Sequence, residues 1–492
     1  MTLMPNIYTQ LRRRHGKPSG ITRREMLERS LAAAGALLLS DRFGITAHAA
    51  AGRAVVIGAG FSGLAAAYEL SKVGYDVTVV EARNRVGGRV ISFSDLVPGK
   101  NVEGGGELIG SNHPAWVGYA KQFGLEFLDV SEEDLEFPIV LNGKRLSSDE
   151  SEALWEGTEK AFNSIVADAA KVDADRPWTS PNAAALDRRT LASWIESIDT
   201  TPITKSMLRT LMTADNGVVT EWQSYLANLA MVKGGGLERY WDESEVYRCK
   251  GGNQQLATKL AGAIGAPKIL LRTPVRSIAV ADRTVRVLLA NGKTLEAEHA
   301  ILTAPPSVWN KIAIDPALPT NLQPQMGNNV KCLIGVKGPF WRRAELAPEI
   351  LSDGPVSMSW HATDGQASAG DAMVAFSGGP AADICREWGA QRIENYLAEL
   401  EKVYRGIRPS YVRARFMDWP GDTWAKASYA FPAPGQVTAQ GPTLHDGIGR
   451  LHFAGEYASY AFMGYMEGAL NSGAAVAKRV ATRDGVVKGA AA

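Results

Sequence analysis

The sequence predicts an α/β protein of two domains, and three observations support this. The chain has 492 residues, whereas single hydrophobic cores stop growing at roughly 250–300 residues. The apolar, β-branched run Arg53–Ile57 is followed at once by Gly58, Gly60 and Gly63 and then by an alanine-rich helical stretch. Residues 114–245 change to helical periodicity with few glycines. We therefore expect a Rossmann-like first domain and a second, mixed and partly helical domain.

The strand, the glycines and the helix together predict an adenine-dinucleotide site. Gly58 allows a tight turn, Gly60 lets the backbone approach a pyrophosphate, and Gly63 lets the helix pack closely on the sheet. Phosphate charge is favoured at the free N–H groups of the helix start. Asp76–Val80 is typical of the second strand, and Glu81 at its end is placed to bind a ribose hydroxyl. A tight turn without ligand is the alternative, and the motif alone does not choose between nicotinamide and flavin.

The choice of cofactor comes from the segment RNRVGGR, which contains Arg83, Gly87, Gly88 and Arg89 directly after the acid. Paired glycines let the backbone approach a ligand, and an arginine can bind a phosphate with both arms of its guanidinium. This segment resembles the second dinucleotide fingerprint of the flavin amine oxidase superfamily, which includes monoamine oxidases, polyamine oxidases and L-amino-acid oxidases. The resemblance implies that the segment lies along FAD and that the first domain binds FAD.

Later segments continue the resemblance. Residues 101–110, NVEGGGELIG, are similar to the stretch beside the flavin ring, with Glu103 at the acidic position and Glu107 at a substrate-facing position. Residues 451–469 resemble the C-terminal signature of the superfamily, in which a helix N-terminus points at the flavin. The resemblance thereby assigns further cofactor contacts to Val275, Gly455, Glu456 and Met466. For Val275, an ordinary strand valine is the alternative.

The resemblance also supplies candidate catalytic residues. The segment APPSVWNK is similar to the one that carries a lysine bound through water to flavin N5, which assigns that role to Lys311. Lys331, in NVKCL, is expected to be structural. Trp419 precedes Tyr429 by the interval that the superfamily shows, and Tyr465 would supply the second face of a slot for the amine. Two core tyrosines are the alternative to such a slot.

The activity that the resemblance implies is FAD-dependent oxidation of an amine to an imine, which water hydrolyses, while O2 is reduced to H2O2. FAD is expected to be bound without a covalent bond, because Ser428 stands where some monoamine oxidases carry the cysteine that forms a thioether. The expected substrate is an amine without an α-carboxylate and with a second cationic group, which Glu107 would pair. The stretch around Glu107 lacks the arginine that L-amino-acid oxidases carry there.

Other activities remain open at this stage. An L-amino-acid oxidase, possibly for basic amino acids, would need a cation for the carboxylate, and Arg209 or Arg239 could supply it. A flavin desaturase or isomerase shares the first fingerprint but would need neither Lys311 nor a tyrosine slot. A non-catalytic FAD-binding protein is the remaining alternative.

Composition favours small-molecule partners. The 53 basic and 52 acidic residues nearly balance, so the net charge does not indicate binding to nucleic acid or to an anionic membrane. The three cysteines, Cys249, Cys332 and Cys385, lie far apart, so neither a disulfide framework nor a metal site is expected. The expected partners are the amine or amino acid and O2, and we expect a homodimer without a stable membrane span.

Residues 1–49 are typical of a targeting segment. A basic stretch and the pair Arg23-Arg24 precede an apolar run at residues 31–39 that is too short to span a bilayer, and Ala47-His48-Ala49 follows. The segment resembles a twin-arginine signal with cleavage after Ala49, which implies a periplasmic or extracytoplasmic location. A disordered basic extension or an uncleaved anchor is the alternative, with a cytoplasmic location as the fallback.

The first domain is expected to be discontinuous. Residues 248–256 return toward it, strand-like runs follow at Val275–Val280 and residues 284–289, and Asn291-Gly292 predicts a hairpin turn. Residues 172–186 are the clearest predicted loop. The expected FAD-binding domain comprises residues 50–127, 245–300 and 420–480; the expected substrate domain comprises residues 128–244 and 301–419, and residues 481–492 form a tail.

Overall fold

The computed structural model describes residues 23–38, 51–130 and 135–487. The early basic stretch and the expected cleavage site Ala47-His48-Ala49 lie outside these residues. Arg23–Leu37 forms a helix that contacts the Pro114–Phe123 helix, and the Ser30 hydroxyl donates to the Ser111 carbonyl at 2.5 Å. Of the helices within the described ranges, none is long and apolar enough to cross a membrane.

A five-stranded parallel sheet, here called the nucleotide sheet, forms the centre of the first domain. Its order across the sheet is Leu451–Phe453, His299–Leu302, Arg53–Ile57, Asp76–Val80 and Ile269–Leu270. Its helices are Phe61–Lys72, Pro114–Phe123, Gln254–Ile264 and Met466–Arg483. The strands come from distant parts of the chain, and the predicted α/β class with a Rossmann-like domain is confirmed.

The first helix lies close to the sheet because its sequence removes side-chain bulk at the contact. Ala65, Ala66 and Ala67 are fully buried, and the helix packs against Met466–Arg483 and Gln254–Ile264. A Cβ atom on Gly63 would lie 2.0 Å from the Gly58 carbonyl oxygen. Gly63 is therefore required for packing at the turn, as predicted.

The second domain contains a seven-stranded sheet, here called the antiparallel sheet, in which one neighbouring pair is parallel. Its order is Tyr411–Asp418, Asn329–Val336, Asp371–Gly378, Met358–His361, Ile350–Ser352, Ile139–Leu141 and Lys144–Arg145. All eight residues of Asn329–Val336 are buried. Residues of this sheet and of the nucleotide sheet share one apolar core, which fixes the two sheets against each other.

Within the stretch expected to be helical, the helices after Pro114–Phe123 are Ser148–Ala169, Ala183–Arg188, Leu191–Ser197, Pro202–Asn216, Tyr225–Gly234 and Arg239–Glu243. Later helices are Pro380–Glu387, Arg392–Glu401, Ile407–Ser410 and Gln436–Asp446, the last of which lies within residues expected for the first domain. Short 3-10 helices are Pro177–Thr179, Thr220–Trp222, Ala266–Lys268, Pro306–Lys311, Phe340–Ala344, Gly389–Gln391, Glu456–Ala458 and Tyr460–Phe462. Residues 172–186 therefore contain helical turns rather than only loop.

Smaller sheets complete the fold. A four-stranded sheet has the order Thr294–Ala297, Val285–Leu289, Val275–Val280 and Ala313–Asp315, and two ribbons pair Ser92–Phe93 with Val102–Glu103 and Phe127–Asp129 with Tyr247–Cys249. The predicted hairpin at Asn291-Gly292 is confirmed, because the strands on either side pair in antiparallel. Met466–Arg483 extends past residue 480, so the expected tail begins inside this helix.

Candidate functional site

A long cleft lies between the nucleotide sheet and the antiparallel sheet. It encloses about 1500 Å³ of space, part of which is open solvent. Cleft-lining residues include these predicted cofactor contacts: Gly58, Gly60, Glu81, Arg83, Gly87, Gly88, Arg89, Val275, Gly455, Glu456 and Met466. The candidate catalytic residues Lys311, Trp419, Tyr429 and Tyr465 also line it. Glu107 does not.

At the end of the cleft nearest the first helix, the two glycine fingerprints pack against each other. The Gly87 N–H donates to the Ala59 carbonyl at 2.8 Å, and a Cβ on Gly88 would lie 3.1 Å from the Gly60 Cα. No side chain caps the helix that starts at Phe61. The backbone there fits a pyrophosphate, because the N–H groups of the first turn face a glycine-lined gap.

Glu81 is held rigidly beside this gap. One carboxylate oxygen accepts from the Ala59 N–H at 2.7 Å and the other from the Arg83 N–H at 2.7 Å. The side chain is buried yet lines the cleft. Its position at the end of the second strand fits a ribose hydroxyl, as the sequence predicts.

Arg83 and Arg89 of the second fingerprint each bind a carboxylate from a distant segment of the chain. Arg83 binds both oxygens of Asp422, at 2.5 and 2.9 Å, and Arg89 donates to the Ser428 carbonyl at 2.6 Å and to Glu456 at 3.0 Å. Burial raises the pKa of Asp422, but bonding to Arg83 outweighs it and leaves the pKa lowered. Asp422 therefore occupies both arms of the Arg83 guanidinium.

The other end of the cleft is closed by the glycine run before Glu107. The Trp419 indole N–H donates to the Gly104 carbonyl at 3.1 Å, and a Cβ on Gly105 would lie 1.8 Å from the Arg89 carbonyl oxygen. A Cβ on Gly106 would lie 2.7 Å from Met466 Cγ. The glycines thus allow this run to pack closely against the Arg89 carbonyl and Met466. Gly105 and Gly106 line the cleft, and residues 104–106 are here called the glycine wall; without side chains, their backbone fits a planar ring system.

Two lysines are candidates for the position beside the flavin ring, Lys311 and Lys331. The structure corrects the prediction that this lysine is Lys311. Lys311 is exposed, donates to the Thr423 carbonyl at 2.7 Å and lies over the Trp424 ring. It therefore belongs to the segment that Asp422 ties to Arg83, away from the glycine wall. Lys331, expected to be structural, is buried and donates to the Gly105 carbonyl at 2.9 Å. Lys331 thus replaces Lys311 as the lysine beside the candidate ring site.

Glu107 is also placed differently from the prediction. It is fully buried and accepts from Lys331 at 2.8 Å, from Arg248 at 3.0 Å and from the Trp360 indole at 2.9 Å. Burial raises the pKa of Glu107, but the charges of Lys331 and Arg248 outweigh it and leave the pKa lowered. Glu107 is therefore an ionised internal partner of Lys331, and its oxygens do not face a substrate.

Two further groups support this arrangement. Arg248 forms a second ion pair with Asp364 and donates to the His361 carbonyl at 2.8 Å. Glu103 accepts from the Ser92 hydroxyl at 2.8 Å and from the Asn253 N–H at 2.9 Å. Burial raises the pKa of Glu103 to about 7. Glu103 and Glu107 therefore hold the glycine wall in place through contacts on the side that does not face the cleft.

Tyr429 and Tyr465 lie at the same end as Lys331 and are both buried. The Tyr429 hydroxyl donates to the Asp215 main-chain carbonyl at 2.6 Å, and the Tyr465 ring lies edge-on to His113, with centroids 5.2 Å apart. Burial raises the pKa of both tyrosines well above the ordinary value, so both stay protonated. The structure thus brings both tyrosines to one end of the cleft, here called the tyrosine end.

The arginines considered as carboxylate clamps do not reach this end. Arg209 pairs with Glu196 at 2.7 Å and with Glu221 at 2.6 Å, and neither it nor Arg239 lines the cleft. Within the part of the chain that the structure describes, the arginines that line the cleft are Arg83 and Arg89. Both are bound to carboxylates.

Sequence reasoning missed several residues at this site. Arg248, Tyr240, His113 and Asp215 lie in stretches without a distinctive local pattern, and Lys331 was expected only to be structural. The one local signal was the segment NVKCL, which leads a strand of eight buried residues and so places a charged side chain in the interior. A lysine within a buried strand predicts a partner or a function.

Comparison with known proteins gives one consistent result. Residues 61–481 match the family described as flavin containing amine oxidoreductase. Residues 23–94 match the family described as pyridine nucleotide-disulphide oxidoreductase, which overlaps the first fingerprint.

Individual relatives cover most of the chain. A probable flavin-containing monoamine oxidase A of Dictyostelium discoideum is 27% identical over 452 residues, covering 87% of this chain and 96% of the relative. An L-amino acid dehydrogenase of Synechocystis sp. is 28% identical over 455 residues, covering 87% and 94%. The structure of wild-type putrescine oxidase bound to putrescine superposes with a TM-score of 0.80 and 25% identity, covering 88% of this chain and 99% of that one.

Proposed function

The chain belongs to the flavin containing amine oxidoreductase family, whose members are FAD-dependent oxidoreductases, and from this premise we propose that it oxidises an amine without an α-carboxylate. The product is an imine that water hydrolyses, and O2 is reduced to H2O2. One observation carries the choice of substrate: the tyrosine end of the cleft is aromatic, and Arg83, Arg89 and Lys331, which line the cleft, are each already paired with a carboxylate. A substrate carboxylate would enter this end unpaired, at a large desolvation cost.

The residues of the cleft fit FAD along its length. Glu81 would hold the ribose, the uncapped helix start at Phe61 would hold the pyrophosphate, and the glycine wall with Trp419 would flank the ring. The start of the Met466–Arg483 helix also has no side-chain cap and lies at the cleft, where its positive end favours negative charge. FAD, when bound, supplies the electron-transfer chemistry.

The protein's own contribution is to exclude water, orient the amine and place one charge. The rings of Tyr429 and Tyr465 surround the amine with low-polarity groups, which favours its neutral form. Lys331 Nζ stands at the glycine wall, bound to the Gly105 carbonyl and to Glu107, with a third N–H available for a water molecule. We assign to Lys331 the role first expected of Lys311.

Oxidation of an L-amino acid is the second candidate function. The relative described as an L-amino acid dehydrogenase favours it, since its similarity covers the same 87% of the chain. The aromatic end of the cleft and the bound arginines favour the amine instead.

The proposal extends to location. Residues 1–49 resemble a twin-arginine signal, and an enzyme that acquires FAD in the cytoplasm suits export in the folded state. N-terminal sequencing of extracytoplasmic protein is expected to give a chain that starts near Ala50. Extracytoplasmic protein that starts at Met1, or protein found only in the cytosol, would contradict the export hypothesis.

A two-step assay tests the activity. The yellow holoenzyme is mixed without O2 with a panel of amines and amino acids, flavin bleaching is recorded, and O2 is then admitted while H2O2 is measured. We expect bleaching by amines and stoichiometric H2O2. Bleaching without reoxidation by O2 would identify a dehydrogenase, and no bleaching by any compound would favour the non-catalytic alternative.

A further inference from the structure

Arg248 is a buried arginine whose three guanidinium nitrogens all have partners. It stands in the middle of the short strand Tyr247–Cys249. Its Nε donates to Glu107 Oε1 at 3.0 Å, its Nη2 donates to the His361 carbonyl at 2.8 Å, and its Nη1 pairs with Asp364. Burial lowers the pKa of Arg248, but the charges of Asp364 and Glu107 outweigh it and leave the pKa raised. Arg248 is therefore a cation held from three directions.

Arg248 and Trp360 together orient the carboxylate of Glu107. Both donate to Oε1, Trp360 from its indole N–H at 2.9 Å, and Oε2 accepts from Lys331 Nζ at 2.8 Å. Lys331 Nζ also lies over the Trp360 ring, 5.2 Å from the centroid. Rotation of the carboxylate would break the two bonds at Oε1 and move Oε2. The position of the Lys331 ammonium therefore depends on the donors at the other oxygen of Glu107.

Four buried charges alternate in sign along this chain of contacts, in the order Lys331, Glu107, Arg248 and Asp364. The positive and negative charges are equal in number, so no buried charge is left unpaired. Lys331 is the member of the four that lines the cleft, where it binds the Gly105 carbonyl of the glycine wall. The array thus presents one positive charge to the cleft.

We propose that Arg248 is a positioning residue for the oxidation: through Glu107 it fixes the place of the Lys331 ammonium beside the flavin ring. This inference rests on the part of the proposed function that puts Lys331 at the ring. A fixed positive charge there favours the reduced ring, which carries more negative charge than the oxidised ring, and the negative charge that O2 gains as it is reduced. Arg248 does not line the cleft, so it acts through Lys331.

Arg248→Lys tests this role because it keeps the positive charge and removes the planar fork that binds three partners at once. The measurement is the midpoint potential of the bound FAD, titrated with a reductant in the absence of substrate. The potential is expected to fall by at least about 15 mV, which corresponds to roughly a threefold change in the reduction equilibrium of a two-electron couple. Reoxidation of the chemically reduced holoenzyme by O2 is expected to slow by at least about threefold.

The same substitution in a Lys331→Met background separates positioning from a direct effect of Arg248 on the ring. Lys331→Met alone should lower the potential by at least about 30 mV, or roughly tenfold in the equilibrium. Adding Arg248→Lys should then change it by less than about 5 mV, or roughly 1.5-fold. Arg408→Lys is the matched control, because Arg408 also binds two carboxylates, Glu394 at 2.7 Å and Glu401 at 2.5 Å, and does not line the cleft. Its potential should equal that of the unmodified protein.

The outcomes separate this inference from the amine oxidation itself. An unchanged potential in Arg248→Lys, or an equal fall with and without Lys331, overturns the inference. An unchanged potential in Lys331→Met overturns it together with the assignment of Lys331. If no amine bleaches the flavin, the proposed reaction fails, whereas a fall in potential that requires Lys331 still supports the inference.

A second variant covers the case in which Arg248→Lys does not bind FAD. Asp364→Asn withdraws the carboxylate from Nη1 of Arg248 and leaves Glu107 and Lys331 in place. A fall in the midpoint potential that is absent in the Lys331→Met background supports the inference. A potential equal to that of the unmodified protein overturns it.

Discussion

Lys331 and Glu107 form a buried ion pair, with Lys331 Nζ 2.8 Å from Glu107 Oε2. The pair joins the antiparallel sheet to the glycine wall of the cleft, since Lys331 lies in Asn329–Val336 and also binds the Gly105 carbonyl. Arg248 binds the other oxygen of Glu107. The ammonium of Lys331 is therefore held in one position at the tyrosine end. A lysine side chain that moved freely would have to be ordered again on each turnover.

Replacing Lys331 by methionine is expected to slow turnover by at least about tenfold, because it removes the only described cation at the glycine wall that is bound to a backbone carbonyl there. Stopped-flow absorbance of flavin reduction and reoxidation measures the effect. Lys311→Met is the matched control, since Lys311 is exposed and, among the described residues, contacts the Thr423 carbonyl and the Trp424 ring. Equal slowing in the two variants would contradict the reassignment.

Glu107→Gln is expected to destabilise the folded protein by about 3–5 kcal/mol, because it leaves the buried charge of Lys331 unpaired and Arg248 with Asp364 alone. Urea unfolding of the FAD-bound protein measures the change. Glu126→Gln is the control: it breaks the exposed pair with Lys250, and its effect should stay below about 1 kcal/mol. Similar midpoints for Glu107→Gln and the unmodified protein would show that the pair is not a stabilising contact.

Glu103 predicts a pH effect of defined sign. Burial raises its folded pKa to about 7, above the roughly 4.3 of an unfolded chain. The folded state therefore binds more protons between these values, and stability due to Glu103 is lost as pH rises from about 4.3 to about 7. The stability of Glu103→Gln relative to the unmodified protein should rise across this window, as thermal midpoints measured at several pH values would show. A constant difference would mean that Glu103 stays ionised.

Ser428 predicts that FAD is released when the protein unfolds. Its hydroxyl lies 2.8 Å from the Gly327 carbonyl oxygen and 2.7 Å from the Asn329 side-chain oxygen, either of which can accept its proton, and a serine forms no thioether. Denaturation should leave yellow flavin in the filtrate and none on the polypeptide. Flavin fluorescence that migrates with the protein on a denaturing gel would disprove non-covalent binding.

The dinucleotide end was predictable because its signals are local. Arg53–Ile57, the glycines and Glu81 lie within about one βαβ unit of sequence, and each has one physical requirement. The two fingerprints also meet through neighbouring backbone, at Ala59 and Gly87. Local pattern and tertiary contact therefore agree at this end.

The tyrosine end was less predictable because its contacts join distant parts of the chain. Glu107 meets Lys331 across 224 residues and Arg248 across 141, and no local pattern encodes the register that brings them together. Lys311 and Lys331 both stand in segments that resemble the superfamily, and burial separates them.

The central claim is that the tyrosine end accepts an amine and rejects a carboxylate, and paired substrates test it most directly. The measurement is kcat/KM of the holoenzyme for lysine against cadaverine and for arginine against agmatine, which differ only by the α-carboxylate. The account predicts that each decarboxylated partner is preferred by more than about tenfold, roughly 1.4 kcal/mol of transition-state binding. If each amino acid is preferred by that margin, the amine assignment is wrong and the enzyme is an L-amino-acid oxidase.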